Sequence, residues 1–228
     1  MFPLYHQRLG DSTKTCYPDG MDNALFILAI DTSLGGCSVA VLRDNAILAY
    51  CQADSAGQQS RMLVPLIESA LAQAAIGYTE LTAVATTIGP GGFTGIRVGL
   101  STARAIALSA GLPLIGLTTL AVMASKPNGA GDVVPVIDAY RGQWYAQRFH
   151  ADGTAASEAL LLDEHGVAAL AQGATLSRLQ ADASDVAKLA AARWVQGKRD
   201  FPTAPLYIRA PDAKLPQNAG LKVGGESL

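Results

Sequence analysis

Asp31, Thr32 and Ser33 end a continuous apolar run, LFILAI, and Gly35 and Gly36 follow them. A carboxylate at a strand tip, beside two hydroxyls and ahead of glycines, is placed to face a phosphate or its metal ion. Glycines let backbone N–H groups come close to phosphate oxygens. The competing reading is that the three residues end the strand and bond the turn backbone. A second candidate is GPGGFTG, residues 89–95, which leads into helical sequence. Backbone donors at a positive helix end attract anions, so Gly89, Gly91, Gly92 and Thr94 join the phosphate-facing set. Alternatively Thr94 caps the helix and Phe93 enters the core. The spacing is neither GxxxxGK[ST] nor GxGxxG after a first strand, so neither nucleotide fingerprint applies.

Other chemistry is sparse. His6, His150 and His165 lie at no metal-ligand spacing, and Cys16, Cys37 and Cys51 form no CxxC pair. No metal site and no catalytic residue is assigned. Asp138 and Arg141 sit at a strand end and turn. Such a pair commonly forms a turn salt bridge, and the alternative is a cleft role across from Asp31.

The elements that must position these residues follow from periodicity. Residues 25–33 read as a buried strand, with strands at 37–44 and 46–54 joined by an Asp44-Asn45 hairpin turn. Ser60 to Ile76 has apolar residues at helical spacing, with Ser60 as N-cap and Pro65 in the first turns. A strand at 81–88, a helix from Ile96 to Ala110 stopped by Gly111, a strand at 113–117 and a short helix at 118–125 follow. Beyond the turn-rich link at 125–132, residues 133–149 read as two strands joined near Arg141-Gly142. Helical stretches at 163–172 and 184–195 and a late strand at 205–209 complete the pattern. The order is that of an α/β protein. The expected division is an extension over 1–20, a first lobe over 21–126, a smaller second lobe over 127–214 and a loose tail over 215–228.

The two first-lobe helices carry little charge. In the 96–110 helix, Ile96, Gly99, Leu100, Ala103, Ala107 and Ala110 share one face. The opposite face holds Val98, Ser101, Thr102, Ala105, Leu108 and Ser109, and only Arg97 and Arg104 mark a solvated stripe. A one-sided surface helix ordinarily shows more charge, which implies burial on two sides. Either a partner chain or this chain's own second lobe supplies the second cover. The 60–76 helix behaves alike, with Arg61 and Glu68 on one narrow stripe. Leu63, Leu66, Val98, Ser101, Thr102, Ala105 and Leu108 are the predicted partner-facing set.

Composition narrows the function class. The chain has 228 residues, 50% hydrophobic and 16% charged, so part of its apolar surface is free to face a partner. Its net charge is −2, with 17 scattered basic residues, which disfavours an independent grip on nucleic acid. Three cysteines suit a reducing cytoplasm. No apolar run reaches the roughly 18 residues a membrane span needs, and no signal peptide pattern opens the chain.

The runs LAIDTS, CSVAV, GPGGFTGIRVGLSTARAIAL, PLIGLTTL, IDAYRGQWYAQ and PLYIRAPDAK occur in this order over most of residues 25–214. In them the chain resembles the TsaB family, also called YeaZ, and GPGGFTGIRVG is the most specific of the matches. The resemblance implies an actin/hexokinase/Hsp70-like (ASKHA) fold of two RNase H-like lobes, the second reduced. It implies a non-catalytic subunit that pairs through first-lobe helices with a TsaD-type transferase or with itself as a homodimer. A TsaE-type ATPase is a further implied partner, and tRNA is met only through the complex. That complex transfers threonylcarbamoyl to the adenosine beside the anticodon. No cofactor is certain, ATP or ADP at the subunit boundary being the candidate. The HxxxH pair of TsaD metal sites is missing from the sequence, so protease and metal claims do not carry over. Gln59 stands where many members have His, and the stretch from about Gly173 to Ala187 is short. The alternative function is a small ATP-dependent phosphotransferase or ATPase using Asp31 and the glycine loop. A homodimeric binding protein without an enzyme partner is a third.

Overall fold

The computed structural model describes residues 24–54, 57–127 and 129–209. The expected extension over 1–20, with His6 and Cys16, and the expected tail over 215–228 lie outside the described residues.

Strands β1 (Phe26–Asp31), β2 (Cys37–Arg43) and β3 (Ala46–Ala53) form an antiparallel meander, and β4 (Ala83–Thr87) and β5 (Leu114–Leu117) extend it in parallel. The order is β3-β2-β1-β4-β5. Strand β1 is central and apolar at nearly every position because both faces of the sheet are covered. Helices α1 (Gln59–Ala74) and α2 (Phe93–Ala110) cover one face, where Leu28, Ile30, Val39 and Val41 meet Leu63, Ile67 and Ala103. On the other face Ile27, Ala29, Ala40 and Leu42 meet α3 (Thr119–Ala124) and α5 (Ala183–Val195) through Val122, Val186, Ala187 and Ala190. Alternate residues of one strand thus serve two cores.

A second sheet has the order β8-β7-β6-β9, from β6 (Val133–Asp138), β7 (Gln143–Ala146), β8 (Leu160–Asp163) and β9 (Thr175–Ser177). It carries α4 (Glu164–Leu170) over a small core of Val134, Val136, Ala146 and Val167. Helix α5 follows this sheet in sequence, beyond the 126/127 division, yet packs on the first sheet. An Asp182–Asp185 capping box starts it, and Ser38 Oγ of β2 accepts from Ala183 N at 3.0 Å.

Four expectations need correction. Ser60 does not cap α1; Gln58 occupies that position without a side-chain hydrogen bond. Helix α2 starts three residues before Ile96, with Gly92 at its N-cap, so Thr94 lies in the first turn and caps nothing. Residues 205–209 form no strand: Leu206 N donates to Ile88 O at 2.7 Å, and the segment crosses the sheet end as a strap. Strands β8 and β9 went unforeseen: β9 is only three residues long, too short for a period to show, and β8, LLLD, is an apolar run without alternation that runs straight into helical sequence.

Candidate functional site

The tip of β1 and the glycine loop form one packed unit. Asp31 is 5% exposed, and its Oδ1 accepts from Thr87 Oγ1 at 2.6 Å, Ser33 Oγ at 2.7 Å and Ser33 N at 3.2 Å. Burial pushes its carboxyl above the usual value, against the hydrogen bonds from Thr87 and Ser33 that favour the charged form. Thr32 is buried and its Oγ1 donates to Gly95 O at 2.7 Å. Ser33 is buried, and its carbonyl accepts from Gly92 N at 2.8 Å. A Cβ at Gly91 would overlap Ser33 O, and one at Gly95 would overlap Thr32 O. These glycines let α2 lie against the strand tip. Asp31, Thr32 and Ser33 therefore spend these hydrogen bonds inside the fold, and Gly89, whose Cβ would meet Leu206 O at 2.8 Å, seats the strap. These contacts are the ones a strand end bonding its own turn requires, and Thr94 is exposed beside them.

Two cavities flank this unit. The smaller, about 210 Å³, is lined by Asp31, Cys37, Ser38, Tyr50, Gln52, Asp54 and Asp182 among others. Burial, and then the Asp31 charge, push the Cys37 thiol up to about 11. The larger, about 530 Å³, lies between the two sheets. Ser33, Gly91, Gly92 and Phe93 line it from the first, and Asp138, Tyr140, Trp144, Arg178 and Arg209 from the second half of the chain. Asp138 thus lines the cleft, whereas Asp31 lines the other cavity. Asp138 Oδ1 accepts from Tyr140 N at 2.7 Å. Arg178 and Arg209 were missed in the sequence, since single arginines in short irregular segments carry no pattern. Among the described residues no group of three or more His, Cys, Asp or Glu side chains could hold a metal ion.

The third feature is the outer face of α1 and α2. On α2, Ile96, Gly99, Leu100, Ala103 and Ala107 are buried as the periodicity requires, while Ala110 is exposed. Leu108 is 85% exposed; Ser101 and Ala105 are exposed, and Val98 and Thr102 half-buried. Among the described residues the second half of the chain thus leaves Leu108, Ser101 and Ala105 open. Arg97 and Arg104 are exposed but not idle: Arg97 Nε donates to Tyr207 Oη at 3.0 Å and Arg104 Nη2 to Thr203 O, which ties the strap to α2. On α1 one expectation fails. Leu63 is 1% exposed, because it faces the sheet with Ile67 and packs against Leu28, Val39 and Val41. Val64, 53% exposed, is the outward residue of that turn, and Leu66 is half-buried.

This is an α/β protein of the YeaZ fold. It superposes with TM-score 0.71 on the crystal structure of an uncharacterized protein with similarity to peptidase YeaZ from Pseudomonas aeruginosa, at 24% identity, over 81% of this chain and 100% of that one. A family model described as TsaD, tRNA N6-adenosine threonylcarbamoyltransferase, matches residues 54–205. The tRNA threonylcarbamoyladenosine biosynthesis protein TsaB of Escherichia coli K12 is 38% identical over 129 residues, 55% of this chain and 55% of that protein. An uncharacterized protein of Mycobacterium tuberculosis H37Rv is 31% identical over 201 residues, 82% of this chain and 93% of that one. The chain belongs to the TsaB (YeaZ) family. Its match spans about half the length of the Escherichia coli relative.

Proposed function

We propose that the protein is a non-catalytic subunit of a cytoplasmic tRNA threonylcarbamoyltransferase complex, docking a TsaD-type chain through α1 and α2. The observation that carries this is the uncovered face of those helices, above all Leu108 at 85% and Val64 at 53% exposure. Small side chains at Ser101, Thr102 and Ala105 let another helix approach closely, which multiplies dispersion contacts. The proposal extends to a TsaE-type ATPase as a further partner, to tRNA met through the complex, and to ATP or ADP at the subunit boundary. Both sheets start with a three-strand antiparallel meander and add a parallel strand beside its first strand. That repetition supports two RNase H-like lobes of the ASKHA class, the second having four strands among the described residues. No helix of the described residues is long and apolar enough to cross a membrane.

The phosphotransferase alternative asks Asp31 to work with the glycine loop on one ligand. Asp31 is buried, and it and the loop line different cavities, so the arrangement favours the subunit reading. Ala105→Arg is the test. It places a charge on the docking face, where burial without a counter-charge costs on the order of 3–5 kcal/mol. Co-purification with a TsaD-type chain is expected to vanish while the melting temperature of the isolated chain stays unchanged. Undiminished co-purification would reject this face. A chain that pairs only with itself, and loses that pairing in the variant, would point to the homodimeric binding protein.

A further inference from the structure

The outer face of α1 and α2 carries an unbalanced charge. The two helices hold three arginines, Arg61, Arg97 and Arg104, and one carboxylate, Glu68, and all four are exposed. Arg97 and Arg104 border the face on the side of the strap, whose residues 201–207, FPTAPLY, contain no charged side chain. Three arginines against one glutamate leave two positive charges in excess, on a chain whose net charge is −2. The single carboxylate is already engaged, since Tyr78 Oη donates to Glu68 Oε1 at 2.6 Å.

Neutral groups hold the arginines in place. Arg97 Cζ lies 3.7 Å from the centroid of the Phe93 ring, and its Nε donates to Tyr207 Oη. Arg104 Nη2 donates to Thr203 O. A phenol and a carbonyl orient a guanidinium without cancelling its charge. Among the described residues none of the three arginines is in an ion pair.

Helix stability does not account for these placements. Helix α1 joins β3 to β4 and α2 joins β4 to β5, three strands that run the same way. The two helices therefore run side by side with their positive ends together. Arg61 lies in the first turn of α1 and Arg97 in the second turn of α2, and neither first turn contains an acidic residue. The helix dipole opposes a cation at this end and favours a carboxylate. That opposition is offset only when carboxylates of another chain cover the end.

We propose that this face selects a partner whose docking surface carries carboxylates in excess, opposite Arg61, Arg97 and Arg104, over a second copy of this chain. The proposal rests on the docking reading above and adds the partner's chemistry to it. Symmetric pairing brings the same patch of both subunits together, so a second copy sets one cationic surplus against another. An acidic face instead meets opposite charge, which speeds encounter and suppresses the like-charged alternative.

The experiment compares the two associations as salt varies. Surface plasmon resonance of the full chain with the TsaD-type chain, and sedimentation velocity of the full chain alone, are run from about 50 to about 500 mM NaCl. The association rate with the TsaD-type chain is expected to fall about fivefold or more over this range, while self-association holds or strengthens. Arg61→Glu should slow that association about threefold or more at low salt, with no loss of melting temperature, and Arg61→Lys should leave it near the wild-type rate. Ala105→Arg separates the two readings. If it leaves pairing intact, this face is not the docking site and both readings fall. If it blocks pairing while salt and Arg61→Glu leave the association rate unchanged, the docking face stands and its charge selection is overturned. Self-association that weakens with salt as steeply as the pairing with the TsaD-type chain overturns the selection too.

Discussion

A buried carboxylate has a measurable signature. Desolvation raises the folded-state pKa of Asp31 above its ordinary 3.8. The native state therefore holds this proton more tightly than the unfolded chain, so the group's contribution to stability is greatest below 3.8. It declines as pH rises from 3.8 through the folded value, where the buried charge forms. Asp31→Asn keeps an acceptor for Thr87 and Ser33 and removes the ionisation. Urea unfolding between about pH 4 and 8 should show a downward component in the wild type that is missing from the variant. Parallel profiles would mean that the hydrogen bonds from Thr87 and Ser33 offset burial fully.

At the scale of an element, α1 and α2 each bury one face and leave another bare. Leu63 and Val64 are neighbours on α1, at 1% and 53% exposure. Leu63→Ala is expected to cost about 2–5 kcal/mol, from lost burial and the cavity left behind. Val64→Ala in the isolated chain should stay within about 0.5 kcal/mol, and its effect should appear on assembly. Equal destabilisation by the two in denaturant melts would show that the outer face is packed within the monomer.

At the scale of the molecule, distant segments complete the first sheet. Helix α5 seals one face, and the strap over 201–209 closes the end beside α2. A Cβ at Gly116 of β5 would overlap Pro202 O, so only glycine lets the strap lie so close. Gly116→Ala should loosen it, with faster amide exchange and proteolysis over 201–209 while β1 remains protected. Unaltered exchange there would show that the sheet end yields instead. Because the strap is tied to Arg97 and Arg104 of α2, its release should also reach that helix.

Alternation and helical spacing are local properties, so β1 to β7 and all five helices were legible from apolar positions in the sequence, to within a few residues. The inward set of α2 from Ile96 to Ala107 was legible for the same reason. The family resemblance was legible too, because GPGGFTGIRVG is long enough to be specific. What the sequence could not decide were the relations between segments far apart in the chain. That Asp31 accepts from Thr87, 56 residues away, has no local signal. Whether the outer face of α2 was covered depended on where the second half of the chain went, and that half returned through α5 to the opposite side of the sheet. The cleft arginines share a wall only after the second sheet forms. Periodicity reports which side of an element is buried; only tertiary packing determines what buries it, and what stays open to another molecule.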